Sequence, residues 1–438
     1  MPAVLGRRRG IFLRVPRPYG PRAAGSQRMK LLIVSHVVHY RYGGRLWAYG
    51  PYAREIEQWA DLFEEIEIAS PCRGEAPPGD CLPMERNNIR MAPQKEAGGE
   101  GVWAKLGLAA SVPAMAWGLA RAMRRADAIH VRCPGNLGLM GAVMAPLFSR
   151  RLVAKYAAQW NGSAGEPWSM RMQRAVLRSR WWKGPVTVYG TWPGSARHVI
   201  PFFTSLLTAE QLERAQASAR RPRRGPELRV VYTGRLSKAK NVDVLLRAVA
   251  RVRAAGHEVS VTVVGEGPER MALEQLAGSF GMAAHTEFTG GLTFDEVLGQ
   301  LEAADALVLA SETEGWPKSI AEGMAFGLAC IGSNIGIVPQ MLGEGRGMTV
   351  APRDEDGLAA AIGKIAESPD RLEPMRLAAA EWGQRYSLEG LKEALRSLLA
   401  ERWRVEDPDR FGFADRSGTG GAYPAPTSRE TARTEAAK

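Results

Sequence analysis

Apolar residues fall along this chain in two alternating rhythms. Compact apolar runs at Leu31–Ser35, Glu65-Ile-Glu-Ile-Ala69, Ala128–Arg132 and Leu152–Ala157 read as buried strands. Between them, Tyr52 to Phe63, a segment ending near Arg125, and Leu137–Phe148 carry the spacing of amphipathic or buried helices. Residues 72–101 are broken by Pro77-Pro78-Gly79 and Gly98-Gly99-Glu-Gly101 and predict loops. The rhythm stops at residues 215–227, a polar, basic, proline-broken stretch that reads as a linker, and then restarts. Leu228–Thr233, Val259–Val264, Thr286–Phe288 and Ala306–Ala310 are predicted strands. Val242–Ala255 and Pro268–Phe280 are predicted helices, and Thr293-Phe-Asp-Glu296 is a capping box opening another. Strands alternating with helices predict an α/β protein with parallel sheets, whose ligands sit at the carboxyl ends of the strands.

This gives an expected order of segments: 1–28 a basic disordered extension, 29–214 an N-terminal Rossmann-like domain, and 215–227 a linker. A second Rossmann-like domain follows at 228–383, then 384–404 as a helix packing back and 405–438 as a disordered tail. Two such domains in tandem face a central cleft, the usual place for a substrate.

At 438 residues, with 45% hydrophobic and 24% charged residues, the chain has the length and composition of two soluble domains. Seven arginines and no acid fall within residues 1–28, so that segment carries more than half of the net +12. It lacks the apolar core of a signal peptide, and Met29 opens the first strand so cleanly that it reads as an alternative start. No apolar run is long enough to span a membrane. Cys72, Cys81, Cys133 and Cys330 are scattered without the spacing of a zinc site, and a reducing cytoplasm is the expected compartment.

The candidate chemistry gathers at Glu312-Thr-Glu-Gly-Trp-Pro-Lys-Ser-Ile-Ala-Glu322. Pro317 suits a first helical turn, so the amides of Lys318, Ser319 and Ile320 are expected to point out of a helix start, where the dipole favours an anion. Gly315 leaves room for close approach of a ligand, and Glu314 and Glu322 flank the amides as acceptors for hydroxyls. Taken alone, the stretch reads equally as a loop with two solvated glutamates. Upstream, Gly234-Arg235-Leu236 follows a strand and Lys240 lies just ahead of a helix, so both cations can converge on one anion. Gly265-Glu-Gly267-Pro268 closes the next strand, but Arg270 breaks the G-x-G-x-x-G dinucleotide pattern, which argues against a dehydrogenase.

Together these segments resemble the retaining GT-B glycosyltransferases of family 4 (group 1). The resemblance is carried by Tyr232-Thr-Gly-Arg-Leu-Ser-Lys-Ala-Lys-Asn-Val-Asp243, Val263-Val-Gly-Glu-Gly-Pro268, Glu287-Phe-Thr-Gly290 and Glu314-Gly-Trp-Pro-Lys-Ser-Ile-Ala-Glu322. It implies a GT-B fold, a nucleotide-sugar donor bound by the second domain, an acceptor bound by the first, and no metal or other cofactor. It implies that Arg235 and Lys240 hold the diphosphate, that Glu322 takes the ribose hydroxyls, and that Glu314 stands at the transferred sugar. Gly315, Trp316, Pro317, Lys318, Ser319 and Ile320 would hold the distal phosphate and sugar, with Gly234, Gly265 and Gly267 lining the site. Gly43 and Gly44 would bring first-domain backbone to the same phosphate.

The resemblance implies transfer of a hexose-type sugar from UDP or GDP to a glycan, lipid-linked or small-molecule acceptor. A GT-B epimerase and a non-catalytic nucleotide-sugar binder are the alternatives. Two departures stand out. The family's histidine after the strand at Leu152–Ala157 is replaced by Gln159-Trp-Asn161-Gly162, and a loop that usually ends in Glu ends here in Gln340. His36 and His39 are candidates on the acceptor side, and His130 fits either the family's N-terminal strand end or a packed core histidine. Asp354-Glu-Asp356 and Asp407-Pro-Asp409 match D-x-D, but Asp354 reads better as a helix N-cap. Trp181-Trp182 beside Arg171, Arg174, Arg178, Arg180 and Lys183 reads either as a solvated helix with a packed Trp pair or as an aromatic, basic surface for peripheral contact with anionic membrane.

Overall fold

The computed structural model describes residues 29–96, 102–163, 165–222, 225–367 and 372–403, with the backbone alone for 102–110. The calls on the basic extension and the tail lie outside these residues.

The first domain is built on a seven-stranded parallel sheet. In spatial order its strands are Val199–Phe202, Val186–Tyr189, Arg151–Tyr156, Ala128–Cys133, Lys30–Val34, Glu65–Ser70 and Ile89–Pro93. The strand period of two divides Lys30–Val34 between two cores. Leu31 and Ile33 pack in a cluster that continues into the second domain, whereas Leu32 and Val34 pack under the helices Val102–Met123, Asn136–Met144 and Trp168–Arg178.

The second domain carries a six-stranded parallel sheet, ordered Thr286–Gly290, Val259–Val264, Leu228–Thr233, Ala306–Leu309, Ala329–Ser333 and Met348–Val350. In each sheet the first strand in sequence lies inside, with later strands added on both sides. The order in which strands are added therefore reverses in the middle of each sheet, and a crevice opens at the carboxyl ends of the strands there. Both crevices look into the space between the domains.

One feature of the first domain is absent from the sequence reading. Tyr42-Gly43-Gly44-Arg45 is the turn of a β-hairpin, His39–Tyr42 against Arg45–Tyr49, and not a loop leading directly into a helix. Gly43 and Gly44 hold φ of 58° and 74°, as a two-residue hairpin turn requires. With Cys72–Arg73 and Cys81–Pro83 the hairpin forms a separate four-stranded sheet. The first helix, Gly50–Ala60, starts only after it, with Pro51 in its opening turn.

The crossing between domains also differs from expectation. A helix, Ala209–Ala219, capped by a reciprocal Thr208/Gln211 box, occupies the end of the expected first domain and the start of the expected linker. It belongs with the second domain. Arg214 pairs with Glu302 at 2.8 Å and with Asp295 at 2.7 Å, and Ala219 packs on Gly327 so closely that a Cβ there would lie 2.7 Å away. The final helix, Leu388–Trp403, returns to the first domain. Lys392 reaches Asp61 at 3.2 Å, and the Trp403 indole N–H donates to the Leu152 carbonyl at 3.2 Å.

Close backbone contacts fix the loops of the second domain. Gly265 has φ of 139°, and a Cβ on it would lie 1.9 Å from the Gly234 carbonyl oxygen; on Gly267 it would lie 2.1 Å from that of Leu236. Gly234 donates to the Val264 carbonyl and Leu236 to the Glu266 carbonyl, so the two loops lie flat on each other. Substitution Gly265→Ala is therefore expected to destabilise the fold by about 2–4 kcal/mol. Gly256, whose φ is 96° but which faces open space, is the control; Gly256→Ala should cost about 1 kcal/mol. Urea unfolding measures both, and equal costs would show that the loop contact contributes nothing.

Candidate functional site

The strand Leu228–Thr233 delivers Gly234 and Arg235, and its neighbour Ala306–Leu309 delivers residues 310–322. These two strands flank the crevice of the second sheet, so their loops converge. Lys240, in a short 3₁₀ turn before the helix Val242–Ala254, meets Glu314 at 2.5 Å. Asn241, held at φ 50°, donates its side-chain amide to the Ala310 carbonyl at 2.9 Å and ties the two loops together. Arg235 is exposed and makes no ion pair among the described residues.

Pro317 is the N-cap of the helix Lys318–Ala325, one position earlier than the sequence suggested. The first intrahelical bond runs from Ala321 N–H to the Pro317 carbonyl, so the amides of Lys318, Ser319 and Ile320 have no carbonyl partner within the helix. Glu322, on the inner face of this helix, is buried, and its Oε1 has no hydrogen-bond partner. Burial pushes its carboxyl up to about 7, although Lys318 and Arg54 pull the other way. Glu322 shares a pocket with Lys318, Thr204, Ser205 and Tyr386, where the chain crosses between domains; the Thr204 hydroxyl is likewise without a partner. A buried acceptor with nothing to accept is the mark of a site built for hydroxyl donors from outside.

Several expected site residues have structural work instead. A Cβ on Gly315 would meet the Ala157 carbonyl oxygen at 2.6 Å, so the close approach this glycine permits is to first-domain backbone. Trp316 is buried among Tyr189, Trp382 and Tyr386, with ring centroids 5.5–5.9 Å apart, and Ile320 is fully buried. Gly265 and Gly267 support the Arg235 loop from behind. The strand Arg45–Tyr49 separates Gly43 and Gly44 from its far end by roughly 15 Å. At that far end, burial and then the charges of Asp80, Glu322 and Glu314 raise the Tyr49 phenol, while Arg235 lowers it. Tyr49, followed by Gly50 at the helix start, is thus the hairpin residue that senses both glutamates. Gly50-Pro51 was the available signal, since that pair marks a helix opening from a crevice.

On the first-domain side, Arg132 and Lys155 reach the Glu55 carboxylate at 2.6 and 2.8 Å. All three are buried. Burial works against the charged carboxylate, but the two cations outweigh it and hold Glu55 well below the usual carboxylate range; burial brings Lys155 down to about 8 despite Glu55. Gln340 bridges the domains: it accepts from Thr191 N–H at 2.8 Å and donates to the Thr191 carbonyl at 3.0 Å. Of the histidines, His130 is fully buried and stacked 4.3 Å from Trp59. His39 is buried against Ser70 at 2.7 Å, with its imidazolium disfavoured by burial to about 4. Only His36 stands exposed at the carboxyl end of the first strand. Asp354 caps the helix Glu355–Glu367 through Gly357 N–H at 2.8 Å. Asp407 and Asp409 lie outside the described residues.

Comparison with known proteins agrees with this geometry. Residues 213–382 match the family model for glycosyl transferases group 1. Over 153 residues the chain is 36% identical to a glycogen synthase of Mycobacterium tuberculosis, covering 35% of this chain and 37% of that protein. Over 199 residues it is 29% identical to a GDP-mannose-dependent alpha-(1-6)-phosphatidylinositol monomannoside mannosyltransferase of the same organism, covering 44% and 51%. The matched part thus spans between about a third and a half of these curated relatives. Among solved structures, a sucrose-phosphate synthase from Thermosynechococcus elongatus superposes with a TM-score of 0.63 at 19% identity, covering 86% of this chain and all of that one. Anabaena Alr3699/HepE in complex with UDP and glucose gives 0.60 at 16% identity, covering 85% and 99%. These likenesses carry the fold through both domains. Residues 213–382 thus match the glycosyl transferases group 1 model, and the chain has the GT-B fold.

Proposed function

We propose that this protein is a retaining glycosyltransferase that moves a hexose-type sugar from a UDP or GDP donor to a glycan, lipid-linked or small-molecule acceptor. The observation that carries the reading is the convergence of Arg235, Lys240 and Glu314 with three free helix amides and the unpartnered carboxylate of Glu322. Relatives named for GDP-mannose, and a neighbouring fold solved with UDP and glucose, support a nucleotide-sugar donor. The same relatives give no support to an epimerase or to a non-catalytic binder.

In this reading the ribose hydroxyls donate to Glu322 and supply the partner its Oε1 lacks. The diphosphate lies over the amides of Lys318, Ser319 and Ile320, where backbone donors and the helix dipole meet its charge. Arg235 offers a planar fork and Lys240 a point charge to the leaving group. As the sugar–oxygen bond breaks, negative charge grows on the diphosphate, and preorganised donors lower the barrier most at that stage. The donor's charge is assigned to side-chain cations and amides, with no metal. Lys240 must share itself between Glu314 and the phosphate, which keeps Glu314 beside the transferred sugar. The departing phosphate is the acceptor's proton sink, so no protein nucleophile is assigned. Glycoconjugate synthesis at the cytoplasmic side, with peripheral contact to anionic membrane, is the setting this chemistry fits.

Two measurements test the reading. Arg235→Ala should lower transfer or donor hydrolysis by about 10²–10³-fold, as removal of one charge-stabilising group does, and Glu322→Ala should lower it by roughly tenfold or more through lost hydrogen bonds to the donor. Activity like the wild type in both variants would sink it, and a thermal-shift panel of nucleotide sugars identifies the donor to use.

The second test is pH dependence. Glu322 holds its proton up to about 7 in the folded protein, against the usual 4.5. A carboxyl raised in this way contributes stability that is fully present below 4.5 and is lost as pH rises through about 7. The ligand-free wild type should therefore lose stability relative to Glu322→Gln between pH 5 and pH 8. Parallel unfolding curves for the two proteins across that window would show that Glu322 is not held protonated.

A further inference from the structure

The helices on the outer layer of the first domain leave an unusual surface. Between Val102 and Ala209 the sequence contains two acids, Asp127 and Glu166, and the Asp127 carboxylate accepts from the Lys30 N–H at 2.9 Å at the start of the first strand. Glu166 is neutralised internally, its carboxylate held by Arg174 at 2.7 Å. On this face Trp117 is 67% exposed and Leu147 68%, and Val143 and Trp181 are also exposed.

These side chains form one surface. The Arg124 guanidinium lies 6.0 Å from the Trp117 ring and 5.8 Å from the Phe148 ring, joining the helix Val102–Met123 to the turn that follows Asn136–Met144. The Trp181 indole N–H donates to the Val143 carbonyl at 2.9 Å, joining the next layer element. Arg121, one turn beyond Trp117, Arg150 and Arg180 are exposed and make no ion pair among the described residues. The Trp181-Trp182 pair divides between two roles. Trp182 is buried in the core, Arg174 is engaged by Glu166, and Arg178 lies 4.7 Å over the Trp160 ring, so the free surface is broader than that local stretch and centred elsewhere.

We infer that this face docks on an anionic lipid bilayer, with Trp117, Leu147, Val143 and Trp181 entering the interface and Arg121, Arg150 and Arg180 meeting the headgroups. Apolar side chains ringed by an excess of cations are what such an interface selects, and tryptophan favours its polar–apolar boundary. A second copy of the chain is a poorer occupant, because a two-fold contact would set these arginines against each other. A nucleic acid would leave Leu147 and Val143 without a partner. The inference deepens the proposed transfer by making a lipid-borne acceptor the natural one, and only that consequence rests on the transferase reading.

The test is sedimentation of the full chain with phosphatidylcholine vesicles and with vesicles containing about a third phosphatidylglycerol, in about 0.1 M salt. The wild type should bind the anionic vesicles and release at high salt. The double variants Trp117→Ser/Leu147→Ser and Arg121→Ser/Arg150→Ser should each lose roughly tenfold or more of that binding. An unfolding temperature like that of the wild type in both establishes that they are folded, and a donor-induced thermal shift unchanged in both keeps this result separate from the donor site. Absence of wild-type binding overturns the inference. So does undiminished binding by both variants, which would assign it to the basic residues 1–28. A concentration-dependent dimer that the Trp117→Ser/Leu147→Ser pair abolishes overturns it in favour of a second copy.

Discussion

The two domains meet at a distance that only backbone can occupy. Gly315 lies against the Ala157 carbonyl, and Gly336, at φ 52°, lies where a Cβ would be 2.8 Å from the Glu314 carbonyl and 3.2 Å from the Gln159 side chain. Side chains at these points would wedge the loops apart. With glycine there, the loop carrying Glu314 is clamped between the end of the first domain's Arg151–Tyr156 strand and its own domain, and the helix Lys318–Ala325 starts from a fixed point. The free amides, Glu322 and the Lys240–Glu314 pair all take their positions from that clamp.

The charges follow a similar economy. Each buried carboxylate near the cleft answers to cations of more than one element: Glu55 to Arg132 and Lys155, Glu322 to Lys318 and Arg54. The two carboxylates differ in one respect. Glu55 is satisfied by ion pairs inside the fold, whereas Glu322 keeps an oxygen without a partner and is raised by burial. Satisfaction marks the structural acid, and its absence marks the one that awaits a ligand.

Much of this was legible in the sequence because it depends on local pattern. The strands Leu228–Thr233 and Val259–Val264 fall where their apolar runs place them, and the Thr293 capping box forms as its spacing requires. The convergence of Lys240 with Glu314 followed from two adjacent loops at one end of a parallel sheet. What the sequence hid was partnership across long separations. Gly315 looks the same whether its neighbour is a phosphate or the carbonyl of Ala157. Trp316 gives no sign that it will pack against Tyr189 from the other domain. The Gly43-Gly44 pair fits a hairpin and a phosphate loop equally well, and only the pairing of His39 with Ala48 decides. The helix at Ala209–Ala219 was masked by the prolines and arginines that follow it.

Gln340 occupies a position where a carboxylate was the familiar expectation, and its amide does something a carboxylate cannot. It accepts from the backbone N–H of Thr191 and donates to the carbonyl of the same residue, so this clasp between domains satisfies both groups and carries no charge. Neither salt nor pH within the ordinary range weakens such a contact. The clasp therefore adds no ionisable group to the meeting of the domains, and the pH response of the cleft is left to groups such as Glu322.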